Sequence, residues 1–286
     1  MSPSSPRSHR LVVLLCILGL AAPALAETKR CTVIATLPYT ISAPGNYCLQ
    51  QDLAHPFANN AGAVRIQSSN VVLDCNGHRL EGTAGAATKA MGVIAFDRQN
   101  ITVRNCHVHG FQSGIWLRGG GLAVRDNLVE RNTAAGVYVH GDGSVVRRNR
   151  VLDIGGDTAG TGMAVGVRTY GNVDVLDNTI AEIHAAAGSG QAAYGIYADV
   201  NDLGVIGANR IRRLQGDGAS APWGMRIDGK RVSVHGNRLS HAGAGGVGIG
   251  CSLAPGGIAS GNHLNGFDTA LQGCHDGGHN VVLPSP

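Results

Sequence analysis

The stretch GIWLRGGGLAVRDNLV, residues 114–129, decides how the chain is read. Gly114 opens a short alternating run in which Ile115 and Leu117 share one face and Trp116 and Arg118 the other. A glycine-rich turn follows, then a second alternating run (Leu122, Val124), an asparagine at 127, and Val129. The phrase returns as GVYVHGDGSVVRRNRV at 136–151, GVRTYGNVDVLDNTI from Gly166, GIYADVNDLGVIGANRI from Gly195 and GMRIDGKRVSVHGNRL from Gly224. Weaker versions open at Val64, Gly92 and Val247, and a degenerate one ends at Asn280-Val281-Val282.

Repeats of this length, each with short period-2 runs, predict a solenoid of about nine strand-built rungs. Strands this short bury a face only by stacking on their neighbours. Parallel stacking puts equivalent residues about 4.8 Å apart, so the rungs should form a column roughly 40 Å long. The asparagine after the second run recurs at 76, 127, 149, 178, 209, 237 and 262, with Cys106 in the slot at the second rung. Such an amide at a bend can bond both its own turn and the next asparagine along the stack.

These phrases, G-[IV]-x-[LVI] and V-x-x-N-x-[IV], resemble the right-handed parallel β-helix proteins of the pectate-lyase-like superfamily, over residues 63–282. The resemblance implies an all-β, single-stranded right-handed parallel β-helix. It also implies that the outer face of the G-I-x-L strand, with the loops entering it, carries polysaccharide. The W-I-D-H strand of pectate lyases, the D-P-H-D of alginate epimerases and the N-T-D…D-D…G-H-G series of polygalacturonases do not occur here.

The remainder of the chain fits around this column. Among 286 residues, 43 glycines with 4% aromatics argue against a helical bundle, and the lack of a G-X-Y period excludes collagen. Arg7, His9 and Arg10 precede the apolar Leu11–Leu20 and the small-residue site Ala24-Leu25-Ala26, which predicts a secretory signal peptide over 1–26. Leu15 before Cys16 argues against a lipoprotein signal. No later apolar run is long enough for a membrane span, so no membrane contact is expected after cleavage. Residues 27–62, with Pro38, Pro44 and Gly45, read as an N-terminal cap, and 63–286 as the β-helix domain.

Without Arg7 and Arg10, the 23 Lys and Arg fall to 21 against 19 Asp and Glu, a net charge of +2. That balance does not suit nucleic acid. A monomer, secreted or periplasmic, is expected. Six of the seven cysteines remain, an even number that permits disulfides in an oxidising compartment. Cys31–Cys48 and Cys251–Cys274 are the expected pairs. Cys75 and Cys106 fall at slightly different positions in the repeat, which counts against pairing them. Zinc is the alternative, but no C-x-x-C spacing occurs.

Alternation points the second and fourth residues after each opening glycine outward. The second position gives Arg65, Ile94, Trp116, Tyr138, Arg168, Tyr197 and Arg226; the fourth gives Gln67, Phe96, Arg118, His140, Tyr170, Asp199 and Asp228. Aromatic faces stack on sugars, and arginine forks match carboxylates or sulfates. Cross-rung stacking for stability alone is the competing explanation. The spacing from ladder asparagine to opening glycine lengthens at Asn149–Gly166, Asn178–Gly195 and Asn209–Gly224. These three loops should carry Asp153, Asp157, Glu182, His184, Gln191, Asp217 and Trp223 and wall a groove.

The expected partner is therefore an acidic, uronic-acid-containing polysaccharide. Its cleavage by β-elimination needs a cation for the carboxylate, a base and an acid. Arg168 or Arg226 can be the cation and His140 or an arginine-polarised tyrosine the base. Tyr138, Tyr170 or Tyr197 can be the acid. The candidate catalytic set is His140, Arg168, Tyr170 and Tyr197. Trp116, Arg118, Tyr138, Asp199, Arg226 and Asp228 are candidate substrate contacts. Hydrolysis would instead use Asp199 and Asp228, in one column on adjacent rungs about 4.8 Å apart, unless they simply pair with Arg168 and Arg226. A non-catalytic glycan-binding, adhesion or cell-envelope protein is the alternative from another class.

No cofactor is expected. Calcium would draw on Asp199, Asp228 and Asp202. His107 and His109 share one strand face as a possible metal pair or a plain solvated edge. Gly243–Gly248 spells G-x-G-x-x-G but falls in phase with the strands, with no helical pattern after it, so a dinucleotide site is rejected. Arg104, Arg125 and Arg147 form an outer column on the second strand, expected as a solvated face.

Overall fold

The computed structural model describes residues 31–57, 60–200, 203–243, 245–252 and 256–283. The expected signal peptide and Cys16 lie outside the described residues, and residues from Cys31 onward form one compact unit. No helix occurs among the described residues, so none there crosses a membrane as a helix.

Among the described residues, strands fall into three parallel sheets of ten, eleven and ten members. Sheet 1 holds the strands opened by the repeated glycine, such as Ser113–Gly120 and Ala164–Tyr170. Sheet 2 holds the strands before the asparagine, such as Ser144–Arg147, and sheet 3 those after it, such as Arg150–Gly155. The chain visits the three in turn and returns one rung higher. The segment expected as a cap instead supplies the first coil. Tyr39–Ile41 pairs in sheet 1, Gly45–Cys48 in sheet 2 and Leu53–His55 in sheet 3. Among the described residues sheet 1 has ten strands, where the repeat phrase suggested about nine rungs. The sequence of that first coil lacks the opening glycine, so its pattern was not visible.

The core follows from alternation. Ile115, Val137, Val167, Ile196 and Met225 are successive register partners, and all are fully buried. The opening glycine recurs for a steric reason. A Cβ at Gly114, Gly136, Gly166 or Gly195 would lie 2.6 to 2.8 Å from the next rung's glycine carbonyl oxygen. It would also strike Val129, Val151, Ile180 or Ile211 from sheet 3.

At the bend between sheets 2 and 3, each asparagine amide donates to the next. The Nδ2–Oδ1 distances are 2.9 Å for Asn127–Asn149, 3.0 Å for Asn149–Asn178, 3.0 Å for Asn178–Asn209 and 3.0 Å for Asn209–Asn237. The ladder continues through Asn262 to Asn280. The residue before each rung of the ladder is left-handed, as at Asp126, Arg148 and Asp177. Asn76, expected in the ladder, is not: its amide donates to the Leu49 carbonyl at 2.9 Å. Two extra residues in that bend move Asn76 outward.

The disulfide Cys75–Cys106 joins this bend to the ladder, and Cys106 N donates to Asn127 Oδ1 at 2.9 Å. The bend insertion explains both the offset of the two cysteines in the repeat and why they still meet, with Cα atoms 4.6 Å apart. Cys31–Cys48 and Cys251–Cys274 form as expected.

The ladder should dominate local stability. Asn178→Ala strips acceptors from Asn149 N and Nδ2 and donors from Asn209 and Val146. The buried groups left unpaired should cost about 3 kcal/mol in a urea titration. Asn76→Gly, at an exposed left-handed turn, should cost about 1 kcal/mol or less.

Candidate functional site on sheet 1

Register places the outward residues in columns. Trp116, Tyr138, Arg168, Tyr197 and Arg226 are successive partners, as are Arg118, His140, Tyr170, Asp199 and Asp228. Ile94, expected at the surface of the first column, is only 1% exposed. A third column, missed by strict alternation, holds Tyr194 and Trp223, each just before an opening glycine. A Cβ at Gly195 would point inward at Ile211, so alternation breaks there and the residue before it turns outward. Tyr194 packs with Val165 and Ala192 in a cluster separate from the core, against Met163, Tyr197 and Trp223.

The lower rungs form an aromatic ledge. Phe96 meets Trp116 edge-on at 5.5 Å, and Trp116 lies 5.0 Å from Tyr138 between ring centres. Arg118 makes a two-toothed ion pair with Asp97, at 3.0 and 2.8 Å, and its guanidinium carbon lies 5.5 Å from the centre of the Phe96 ring.

Above the ledge stands Arg168. Its guanidinium carbon lies 5.7, 5.1 and 5.0 Å from the rings of Tyr138, Tyr170 and Tyr197. It donates to the Tyr170 hydroxyl oxygen, yet its buried Nε has no hydrogen-bond partner. No carboxylate pairs with it among the described residues. His140 is exposed, its ring 5.6 Å from that of Tyr170.

The upper rungs are neutralised. Arg226 Nε donates to Asp228 at 3.1 Å, Tyr197 donates its hydroxyl proton to Asp228 at 2.9 Å, and Ser252 donates at 2.6 Å. Ser252 was not foreseen; it follows the strand Val247–Cys251 and no spacing marks it. Burial works against the Asp228 charge, but the Arg226, Ser252 and Tyr197 hydrogen bonds outweigh it and hold the carboxyl below the usual range. Burial, then the Asp228 hydrogen bond and charge, push Tyr197 up to about 12. Burial and the neighbouring Tyr170 raise Tyr138. Neither phenol is therefore a ready base at neutral pH. The Asp199 carboxylate has no hydrogen-bond or ion-pair partner among the described residues.

The remaining sequence candidates fall elsewhere. Asp153, Glu182 and His184 lie on strands of sheet 3, not in loops, because those strands extend to Gly155 and His184. With Asp217 and His241 they line a cavity of about 970 Å³ that contains none of the sheet 1 residues. Asp157 and Asp217 accept backbone N–H groups of their own loops, at Ala159, Gly160, Ala219 and Ser220. These acids hold the loops in shape. Trp223 begins a sheet 1 strand.

His107 bonds Glu130 at 2.9 Å, and His109 lies 3.7 Å from Glu81. No group of three or more His, Cys, Asp or Glu side chains is placed to hold a metal among the described residues; Asp202 is outside them. Arg104, Arg125 and Arg147 are paired with Asp74, Asp126 and Asp177. Val247 and Gly248, the end of the G-x-G-x-x-G, lie in the sheet 1 strand Val247–Cys251.

A family described as a right-handed β-helix region matches residues 45–151. The tailspike protein of Dettilon is similar in structure, with a TM-score of 0.51 and 13% identity over 88% of this chain. This chain spans 60% of that tailspike chain. The A-module of a mannuronan C-5 epimerase from Azotobacter vinelandii superposes with a TM-score of 0.44 and 15% identity, over 86% of this chain and 88% of the module. No curated protein matches the sequence. The chain is a right-handed parallel β-helix protein.

The Asp228 network makes stability depend on pH. The folded pKa lies below the unfolded one, so the unfolded chain binds more protons between them and stability rises with pH there. This contribution is complete above the unfolded value of about 3.9 and is lost as pH falls through the depressed folded value. Asp228→Asn should be less stable than the wild type at pH 7, and the gap should close below about pH 4. Urea midpoints across that range measure it.

Proposed function

We propose that the protein is exported and binds an acidic, uronic-acid-containing polysaccharide along sheet 1, cleaving it by β-elimination at Arg168. One observation carries this reading: a guanidinium among three tyrosine rings with a buried unpartnered Nε and no carboxylate. A half-buried cation so placed gains from an incoming carboxylate, which an arginine fork can hold by two hydrogen bonds. The Phe96–Trp116–Tyr138 ledge offers ring faces to the sugars that follow. Three disulfides suit an oxidising compartment.

In the reaction, Arg168 neutralises the uronate carboxylate and so makes the C5 proton removable. His140, beside Tyr170 and open to solvent, takes that proton. The electron pair forms the C4–C5 double bond and the C4–O bond breaks. Tyr170 gives its hydroxyl proton to the leaving oxygen, and the hydrogen bond from Arg168 to its oxygen stabilises the phenolate left behind. Tyr197 serves as a wall for Arg168, its proton held by Asp228. Hydrolysis by Asp199 and Asp228 fits less well, since Arg226, Tyr197 and Ser252 already occupy Asp228. A protein that only binds the glycan is the second reading, favoured by the aromatic ledge, which reaches beyond the reacting groups.

New ultraviolet absorbance of an unsaturated uronate, with polygalacturonate or alginate as substrate, tests the reaction. Arg168→Ala should slow turnover about 100-fold or more. His140→Ala should slow it with binding retained, whereas Trp116→Ala should weaken binding about tenfold, a change of about 1.4 kcal/mol. Binding without any absorbance change, lost in Arg168→Ala, would establish the binding reading. Unchanged binding in Arg168→Ala and Trp116→Ala together would rule out this face.

A further inference from the structure

We propose that the outer face of sheet 3 carries a second site for the acidic polysaccharide, a trough of unpaired arginines formed by Arg210, Arg212 and Arg238. The choice of ligand rests on the function proposed above; the cationic trough does not. Two cavities, of about 320 and 390 Å³, share Arg210 and Arg238. The first also contains Arg212, Ser240, His263 and Asn265, and no carboxylate lines it. The second contains one acid, Asp177, already paired with Arg147 at 3.2 Å.

These arginines differ from those of sheet 2. There, Arg104, Arg125, Arg147 and Arg148 each meet an aspartate within 3.2 Å. Here, Arg210, Arg212 and Arg238 are exposed, and their guanidinium groups have no ion pair or hydrogen bond among the described residues. Arg210 and Arg238 are moreover direct register partners, with backbones about 4.8 Å apart. Like charges directly opposite on neighbouring strands destabilise a sheet. A bound anion removes that repulsion and uses guanidinium forks suited to carboxylates. Two joined cavities suit successive units of a chain better than a single ion. Ser240 and Asn265 supply hydrogen-bonding groups for sugar hydroxyls.

The test uses the full-length exported protein and a triple variant, Arg210→Gln, Arg212→Gln and Arg238→Gln. Calorimetric titration with oligogalacturonate at low salt should show two classes of site in the wild type. The triple variant should lose the class that weakens with salt, or bind it about tenfold more weakly, and Arg168→Ala should retain it. Without ligand the triple variant should melt at the same or a higher temperature; a clear fall would mark the arginines as structural and overturn the proposal. Sulfate should raise the melting temperature of the wild type more than that of the triple variant. Equal sulfate response and unchanged oligogalacturonate binding in the triple variant would also overturn it. A loss confined to the triple variant, with Arg168→Ala unaffected, would support this trough and count against the sheet 1 site.

Discussion

Each ladder asparagine from Asn127 to Asn262 is buried, and its amide can be satisfied only by the rung beside it. Asn149, for example, donates to Asn178 and to the Val124 carbonyl, while its oxygen receives from Asn127. A buried amide left unpaired is costly, so every rung from Asn127 to Asn280 must keep the same height and register at this bend. Insertions are thereby driven to other corners. The long loops all fall between sheets 3 and 1, as between Gly155 and Ala164 or between His184 and Ala193. Where the bend itself grows, at residues 75–78, the ladder stops and a disulfide takes its place.

Strict register has a second consequence: each outward position becomes a column of neighbours about 4.8 Å apart. Charge must then be managed rung by rung. Sheet 2 stacks Arg104, Arg125 and Arg147 in one column, and Asp74, Asp126 and Asp177 neutralise them one by one. Sheet 1 separates its arginines by Tyr197 and flanks Arg168 with rings. Sheet 3 leaves Arg210 beside Arg238. The three faces share one scaffold, and differ in whether a carboxylate reaches each cation.

Much of this was legible in the amino-acid order. Period-2 runs gave the inward column Ile115 to Met225 and the outward pair of columns, because stacking preserves alternation. The ladder was legible from Asn127 onward, whereas Asn76 misled because an insertion of two residues is invisible without knowing where the strand resumes. Tyr194 was hidden for another reason. Alternation fails at an opening glycine, where two consecutive residues face inward, and nothing in a single phrase reveals that. The loop residues Asp153 and Glu182 were misplaced because strand length, unlike strand phase, is not encoded by periodicity.

The difference between Arg168 and Arg226 is the part of the site no column pattern could decide. Both stand at the same position, two rungs apart, and both have aspartates nearby in sequence. What separates them is the residue two places later on their own strand. For Arg226 it is Asp228, which lies alongside and neutralises it. For Arg168 it is Tyr170, whose hydroxyl accepts a hydrogen bond but carries no charge. Asp199 belongs to the rung of Tyr197, and it forms no ion pair with Arg168 across the rungs. Pairing along a strand thus prevails over pairing between strands on this face, and the cation it leaves over is the one among tyrosines.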